Sequence, residues 1–294
     1  ILFRSIIMYS EKILVTGGTG FIGSHLVEAL AKKGYYVRCL VRNPKKIIFL
    51  ERIGVNFKKP NIELVFGDIR DKKSLYRATQ GITTVVHLAG ILGKWGLSEK
   101  MYWDVHVKGT KYLLEACIKN NVKRFIHCST AGVLGPIKNP PANEEWPYNP
   151  SNVYEETKAI AEQVVLKYRH KMAITIIRPE FVYGPRDMHV LKLFKAIQNG
   201  RFIIIGRGES LLHPTYVNDV IQAILLCLEN RKSIGNIYLI VGEKHLKVKS
   251  LVSIIAEELG VPPPRIHVPT WFAYMVAGAS ELFAILFGIS PPLT

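Results

Sequence analysis

Short β-branched runs alternate with amphipathic stretches through the first 180 residues of this 294-residue chain. The strand candidates are Ile13 to Thr16, Tyr36 to Val41, Ile62 to Phe66, Thr83 to Leu88, Arg124 to Ser129 and Ile174 to Arg178. Between them, apolar residues recur at spacings of three and four near Ile22 to Lys33, Lys72 to Thr79, Val105 to Asn120 and Val153 to Tyr168, which predicts helices. Strand and helix in alternation indicate βαβ units, and therefore an α/β fold with a doubly wound parallel sheet.

A glycine-rich turn separates the first predicted strand from the first predicted helix. Glycines permit a tight turn and a close backbone approach, while the helix N-terminus offers unpaired N–H groups to a pyrophosphate. A GxxGxxG pattern between a strand and a helix predicts a Rossmann-type dinucleotide site. The cofactor-binding candidates here are Gly17, Thr19, Gly20, Phe21, Ile22 and Gly23.

The residue after the second strand indicates which dinucleotide binds. An NAD enzyme usually carries Asp or Glu about 20 residues after the glycine motif, to accept a hydrogen bond from the ribose 2′-OH. This chain has Arg42 there, followed by Lys45 and Lys46. A guanidinium can bind a 2′-phosphate bidentately, so NADP(H) is favoured over NAD(H), with a solvated surface arginine as the alternative.

Two further strand ends supply cofactor candidates, because ligands bind at the carboxyl ends of strands in open α/β sheets. Asp68 and Ile69 follow the third strand, and Leu88, Ala89 and Gly90 follow the fourth. Asp68 is a candidate acceptor for the adenine amine, or else a cap of the following helix.

The reactive candidates are Tyr154 and Lys158, which stand four apart on one face of a predicted helix. The ammonium can stabilise the phenolate and lower the phenol's pKa, so that Tyr154 exchanges a proton with an alcohol or alkoxide oxygen. Ser129 and Thr130, at the end of the fifth strand, offer hydroxyls that can hold a carbonyl oxygen, although either could be an ordinary strand-end residue.

Beyond Gly184 and Pro185 the predicted elements become shorter. They are a helix near Leu191 to Asn199, a strand at Phe202 to Ile205, and helices at Asp219 to Glu229 and Lys249 to Leu259. We therefore expect a dinucleotide-binding domain over residues 8–180. A smaller, mainly substrate-binding α/β portion over 181–294 is expected to be interleaved with it.

Composition excludes several classes of protein. A hydrophobic fraction of 48%, with 21% charged residues and no low-complexity tract, argues against a disordered or fibrous chain. The four cysteines are scattered, so we expect reduced thiols, a cytoplasmic setting and no metal site. The net charge of +16 comes from Lys and Arg without a run of five, which favours solvated faces over nucleic-acid binding.

The two ends of the chain carry apolar stretches. Ile1 to Ile7, ahead of Met8, is interpreted as an extension rather than a targeting signal. Trp271 to Phe287 is shorter than the roughly 20 residues that a bilayer core requires, so we expect a buried or lid helix, with a membrane-surface helix as the alternative. The stretch before Thr294 resembles a strand entry more than a natural terminus.

In this order, the motifs resemble the extended short-chain dehydrogenase/reductase family, also called the epimerase/dehydratase family. They are TGGTGFIG from Thr16, HLAG from His87, CSTAGVLG from Cys128, YEETK from Tyr154, RPEFVYGPRD from Arg178 and YVNDV from Tyr216. The resemblance implies Thr130 as the catalytic hydroxyl, Tyr154 as acid/base and Lys158 on the nicotinamide ribose. It also places the backbone from Pro179 to Val182 near the carboxamide, and implies a homodimer through helices matching residues 105–120 and 154–168.

Departures from the family pattern bear on the substrate. Phe181 and Leu212 stand where nucleotide-sugar epimerases generally carry Asn and Arg, which leaves a sugar diphosphate without polar partners. With Ser129 they are the candidate substrate contacts, and a less polar substrate is favoured, as in dihydroflavonol reductases and 3β-hydroxysteroid dehydrogenase-like members. His106 replaces the Asn of the family's NvxGT motif. It either alters how the Tyr154 helix is held or, as we favour here, is a satisfied core histidine.

The leading hypothesis is an NADP(H)-linked oxidoreductase that reduces a ketone or oxidises a secondary alcohol of a fairly apolar small molecule. A nucleotide-sugar epimerase or dehydratase with bound NAD is the first alternative. A catalytically silent binding protein on the same fold is the second, and the presence of both Tyr154 and Lys158 disfavours it.

Overall fold

A computed structural model describes residues 11–52, 54–93, 96–276 and 278. Its centre is a sheet of seven strands, all parallel: β1 (Lys12–Thr16), β2 (Tyr36–Val41), β3 (Ile62–Phe66), β4 (Thr84–His87), β5 (Arg124–Cys128), β6 (Ala173–Pro179) and β11 (Ile237–Ile240). Their spatial order is β11-β6-β5-β4-β1-β2-β3. The chain thus runs outward from β1 in one direction and then returns to start again at β4. This reversal is the switch point at which doubly wound sheets bind ligands.

Helices cover both faces of this sheet. They are α1 (Phe21–Lys32), α2 (Pro44–Arg52), α3 (Lys72–Thr79), α4 (Glu99–Tyr102), α5 (Gly109–Lys119), α6 (Val153–Leu166) and α8 (Val217–Glu229). A π-helical segment, Trp103–Lys108, joins α4 to α5, and 3₁₀ turns occupy Ala131–Leu134 and Arg231–Ser233. Because the strands are buried on both faces, they are apolar at successive positions: Ile13, Leu14 and Val15 of β1 are all fully buried.

The remaining elements are short. They are β7 (Val182–Tyr183), α7 (Val190–Gln198), β8 (Ile204–Ile205), β9 (Leu211–Leu212), β10 (Thr215–Tyr216), β12 (Leu246–Lys247), α9 (Val248–Glu258) and β13 (His267–Val268). They form three two-stranded pairs, β7 with β10, β9 with β12 and β8 with β13. A small apolar core made by α7, α9 and β8 includes Ile197, Ile204 and Val252.

The chain divides into two compact units. The first contains the described residues within 1–92, 98–180 and 217–240, and the second contains those within 93–97, 181–216 and 241–294. The sequence-based division assigned residues 217–240 to the substrate-binding portion, whereas they lie in the first unit. The reason is pairing: Ile237–Ile240 extends the central sheet alongside β6, and α8 packs against α1.

The predicted elements agree with the structure to within one or two residues at most ends, but the π-helical start of the third long helix extends it back to Glu99. An α-helix and a strand of the first unit, α2 and β11, were not predicted, and nor were its two 3₁₀ turns. Proline at the first position of α2 is favourable for a helix start, and Ile47 and Leu50, three residues apart, are buried along this nine-residue helix. The first seven residues and Thr294 lie outside the described residues, as does the stretch 277–287 apart from residue 278.

Candidate active site

The glycine turn after β1 is built for close approach of a ligand. Gly17 has φ +74°, and a Cβ there would stand 2.8 Å from the backbone of Leu88 and Ala89. A Cβ on Gly23 would stand 2.1 Å from the Gly17 carbonyl oxygen. No larger residue therefore fits at Gly17 or Gly23. Gly20 then leads directly into α1.

The N-terminus of α1 suits an anion. No side chain caps it, and its first turn contains no acidic residue. The first N–H groups of a helix have no intrahelical acceptor, and the helix dipole favours negative charge there. The turn from Gly17 to Gly23, including Thr19, Phe21 and Ile22, therefore fits the pyrophosphate of a dinucleotide.

The other cofactor candidates lie at the same edge of the sheet, because they follow the carboxyl ends of parallel strands. Arg42 follows β2, Asp68 and Ile69 follow β3, Leu88 to Gly90 follow β4, and Pro179 ends β6. The hydroxyl of Thr16 accepts a hydrogen bond from the Ala89 N–H at 3.3 Å, which ties the β4 loop to the base of the glycine turn.

Asp68 does not cap α3; Asp71 does, with its carboxylate accepting from the backbone N–H groups of Lys73 and Ser74. The Asp68 carboxylate is held by Arg70 through two guanidinium hydrogen bonds of 2.9 and 2.8 Å. The bonds from Arg70 hold the pKa of Asp68 below its usual range, and the positive charge of Arg42 acts in the same direction. Asp68 is therefore an ionised acceptor that is already paired on one side.

Tyr154 and Thr130 meet at the end of β5. The Thr130 side chain caps the 3₁₀ turn, accepting from the Gly132 N–H at 3.2 Å, and its effect on the nearby Tyr154 phenol is to lower the pKa. Burial raises the pKa of Tyr154 to about 12, against the lowering effect of Thr130. The spacing of Tyr154 and Lys158 in the sequence predicts that the ammonium lowers this pKa. In the structure the net shift is upward, because loss of hydration is the largest effect.

Lys158 is buried, and its Nζ donates to the Cys128 carbonyl oxygen at 2.6 Å. Loss of hydration lowers the pKa of this ammonium, and the bond to Cys128 ties α6 to the end of β5. Ser129, on the same strand end, is buried with no partner for its hydroxyl among the described residues. Phenol, ammonium and hydroxyls from two separate segments therefore converge at the edge where the glycine turn lies.

Comparison with known proteins is consistent with this arrangement. Residues 13–241 match the model of the NAD dependent epimerase/dehydratase family. The chain belongs to this family. Its relatives are dehydrogenases, reductases and epimerases, so the chain is an enzyme of the NAD(P)-dependent oxidoreductase and epimerase/dehydratase superfamily.

Individual relatives of this family differ in what they act on. The chain is 29% identical to the mouse (Mus musculus) sterol-4-alpha-carboxylate 3-dehydrogenase, decarboxylating, over 96% of the chain and 77% of the relative. It is 30% identical to N-acetyl-alpha-D-glucosaminyl-diphospho-ditrans,octacis-undecaprenol 4-epimerase of Escherichia coli O157:H7, over 88% and 76%. Among solved structures, UDP-glucuronic acid 4-epimerase from Bacillus cereus, in complex with UDP-glucuronic acid and NAD, aligns with a TM-score of 0.78 at 30% identity. That alignment covers 88% of this chain and 86% of the epimerase.

The candidate substrate residues fall in different units. Ser129 belongs to the first unit, while Phe181 and Leu212 belong to the second. Phe181 has φ +27°, an unfavourable backbone conformation for a bulky side chain, and its carbonyl accepts from the Thr215 N–H at 3.1 Å. Val182 follows in β7, paired with Thr215 of β10, and Leu212 lies in β9 opposite Leu246.

Two buried histidines of the first unit hold polar contacts next to the candidate site. His87 lies between the hydroxyls of Thr16 and Thr110, at 2.7 and 2.9 Å. His106 lies between the Ile91 N–H and the Thr157 hydroxyl, at 3.1 and 2.9 Å. His106 is therefore the satisfied core histidine that we expected, but its partner Thr157 is on the helix that carries Tyr154. The replacement of the family's Asn by His106 was the only feature of the sequence that pointed to this residue.

A buried ion pair anchors the same helix. Glu162, one turn after Lys158, receives hydrogen bonds from the Arg178 guanidinium, the shortest at 2.6 Å, and both side chains are almost completely buried. The Tyr148 hydroxyl donates to the same carboxylate at 2.8 Å, and the guanidinium also donates to the Glu144 carbonyl. The spacing of four from Lys158 would have placed Glu162 on the same face, but its partner on β6 could not be read from spacing alone.

Proposed function

We propose that this enzyme interconverts a ketone and a secondary alcohol on a fairly apolar molecule, using a nicotinamide dinucleotide held by the glycine turn. The observation that carries the proposal is the convergence of two groups at the end of β5: Thr130, whose side chain acts on the pKa of the Tyr154 phenol, and Lys158, whose ammonium donates to the Cys128 carbonyl oxygen. The likeness to a sterol dehydrogenase supports an apolar substrate, as do Phe181 and Leu212 in place of polar groups.

The surroundings of Tyr154, Thr130 and Lys158 suit a different role in the reaction for each side chain. When bound, the nicotinamide supplies or accepts the hydride. Tyr154, neutral at pH 7 because its pKa is raised to about 12, is ready to donate a proton to an alkoxide oxygen. Thr130 can orient that oxygen, and the buried Lys158 provides positive charge near it.

The test follows absorbance of the reduced nicotinamide with ketosteroids, 3-oxoacyl compounds and flavonoid-like ketones, each with NADPH and NADH. We expect oxidation of the reduced cofactor in a one-to-one ratio with formation of alcohol from at least one of these apolar ketones. Equal turnover of every ketone with the Tyr154→Phe variant would contradict the proposal, because proton transfer by the phenol would then be dispensable.

The second candidate function is epimerisation of a sugar nucleotide or a lipid-linked sugar. The favouring observations are the likeness to the undecaprenol-linked sugar epimerase and the fold shared with UDP-glucuronic acid 4-epimerase. Thermal-shift measurements with UDP and GDP sugars separate the two, because a ligand at 100 times its Kd stabilises by about 2.7 kcal/mol. Conversion of a sugar without net change in nicotinamide absorbance would establish epimerisation instead.

Within the same proposal, we infer a preference for NADP(H). Arg42 and its neighbours Lys45 and Lys46 are exposed at the end of β2, where an NAD enzyme would place a carboxylate. Hydrogen bonds to a charged group contribute about 1.5–3 kcal/mol. Arg42→Ala should therefore lower kcat/KM for NADPH by about ten- to a hundredfold, while kcat/KM for NADH changes little.

Steady-state kinetics with both cofactors check this prediction, and Arg169→Ala, which removes another exposed arginine of the first unit, is the matched control. A wild-type preference for NADH, or equal losses with both cofactors in Arg42→Ala, would show that Arg42 does not bind a 2′-phosphate. In that case the chain would use NAD, as in the UDP-glucuronic acid 4-epimerase complex.

The expected homodimer and lipid contact remain proposals. Among the described residues, no helix is long and apolar enough to cross a membrane. Residues 270–276 are helical, and the side chains of Trp271, Tyr274 and Met275 are 64%, 76% and 58% exposed. Exposed aromatic and apolar groups of this kind suit the surface of a bilayer, which is the basis of the proposed lipid contact.

A further inference from the structure

His106 lies on the segment where the long helix of residues 99–119 changes its hydrogen-bonding pattern. The segment Trp103–Lys108 is π-helical, with α-helix on either side. Such π-helical turns inside an α-helix are rare overall, but those that occur are often found at functional sites. This one contains His106, and the segment packs against α6.

The partners of the imidazole fix its protonation. The Ile91 N–H can only donate, so Nε2 of His106 is the acceptor and carries no proton. The proton of the neutral ring then lies on Nδ1, where it is donated to the Thr157 hydroxyl oxygen. Burial lowers the pKa of His106 to about 3, with the positive charge of Lys158 acting in the same direction, so the ring is neutral at pH 7.

The chain of hydrogen bonds continues to the backbone of Tyr154 itself. The Thr157 hydroxyl donates its own proton to the carbonyl oxygens of Val153 and Tyr154, at 2.8 and 3.0 Å. The His106 ring also meets the Tyr154 ring edge-on, with centroids 5.6 Å apart. A connection therefore runs from the loop after β4, through one imidazole and one hydroxyl, to the main chain and the ring of the acid/base residue.

We propose that His106 is a positioning residue for Tyr154: its Nδ1–H, through Thr157, fixes the start of α6 against the loop after β4 and so sets where the phenol stands. This proposal rests on the proposed function, because it gives Tyr154 the acid/base part. A displacement of about 1 Å at a reacting group can cost on the order of a hundredfold in rate.

Two pairs of substitutions separate the hydrogen bond to α6 from the other contacts of the ring. The amide of Asn can replace Nδ1, and the longer amide of Gln replaces Nε2. His106→Asn therefore retains the bond to Thr157, and His106→Gln retains only the bond to Ile91. On the other side of the contact, Thr157→Ser retains the hydroxyl and Thr157→Val removes it.

We expect His106→Gln and Thr157→Val to lower kcat about ten- to a hundredfold, with KM for the cofactor within about twofold of the wild-type value. His106→Asn and Thr157→Ser should stay within about threefold of wild-type kcat. The double variant His106→Gln/Thr157→Val should lose no more kcat than either single variant, because the two substitutions remove the same hydrogen bond.

His127 provides the matched control, since it is an equally buried imidazole whose ring nitrogens have no partner among the described residues. His127→Leu replaces a buried polar side chain with an apolar one of similar volume and breaks no hydrogen bond. Such a replacement can be neutral or stabilising. It should leave kcat and the midpoint of urea unfolding close to those of the wild type.

Two readouts do not depend on turnover. Nitrogen-15 NMR of the histidine rings should show His106 as the neutral tautomer with its proton on Nδ1 between pH 5 and 8. The carbon-13 signal of the Tyr154 ring, assigned with Tyr154→Phe, should move in Thr157→Val and stay in place in Thr157→Ser. Both variants keep the imidazole, so a difference between them reports the loss of the Thr157 hydroxyl.

The outcomes separate this proposal from the function on which it rests. A proton on Nε2, an unmoved Tyr154 signal in Thr157→Val, or equal kcat for His106→Asn and His106→Gln would overturn the positioning role. If the wild type reduces no ketone while the tautomer and the ring signal behave as expected, the positioning stands and the assigned reaction fails.

Discussion

Tyr154→Phe is expected to lower kcat by about 10²- to 10⁴-fold, the usual contribution of a positioned general acid or base. The substitution removes only the phenol oxygen and keeps the ring that packs edge-on against His106. Cofactor affinity should change little, because the glycine turn and the first turn of α1 are untouched. Steady-state kinetics and fluorescence titration with the nucleotide measure the two quantities.

The pH dependence of the wild-type rates is a second test of Tyr154 as the acid/base residue. With a pKa raised to about 12, the phenol is protonated throughout the accessible range, so ketone reduction should show no loss of rate from Tyr154 between pH 6 and 9. Alcohol oxidation requires the phenolate, whose fraction increases with pH, so its rate should rise across that range. Tyr154→Phe should lack this rise.

Tyr76→Phe is the control, because Tyr76 lies on α3 with its ring against the Lys119 ammonium, and no hydrogen bond of its hydroxyl is found in the described part of the chain. It should retain wild-type kcat. A Tyr154→Phe enzyme with kcat within tenfold of the wild type would show that another group moves the proton.

Much of this site could be predicted from local sequence because parallel strands bring their carboxyl ends to one edge. The glycine turn, Arg42, Asp68, Ala89 and Thr130 each follow an apolar run, so the doubly wound order alone places them together. Likewise, a spacing of four placed Tyr154 and Lys158 on one face of α6. None of these inferences needed a contact between distant segments.

The contacts that hold the site are long-range, and no spacing predicts them. His106 and Thr157 are 51 positions apart, and Glu162 and Arg178 lie on a helix and a strand that meet only through the fold. The direction of the Tyr154 pKa was wrong for a related reason. Burial has the largest effect on this pKa, and the sequence does not show burial.

Loss of Arg178 alone should destabilise the first unit strongly, because Glu162 is buried with it. Removing one partner of a buried pair leaves an uncompensated charge and costs about 3–5 kcal/mol. We therefore expect Arg178→Met to lower the free energy of unfolding by about this amount, since Glu162 would remain buried with only the Tyr148 hydroxyl as a donor. Urea unfolding, followed by circular dichroism, measures the loss.

Two further variants test the cause of that loss. The triple variant Tyr148→Phe/Glu162→Leu/Arg178→Met removes both charges and the hydroxyl, so it should be more stable than Arg178→Met alone, as apolar replacements of buried ion pairs often are. Glu229→Gln breaks the pair with Lys33, whose side chains are 43% and 45% exposed, and should cost at most about 1 kcal/mol. Equal losses in Arg178→Met and Glu229→Gln would mean that burial does not govern the pair. A triple variant less stable than Arg178→Met would mean that the network is held by its hydrogen bonds and packing rather than by balanced charge.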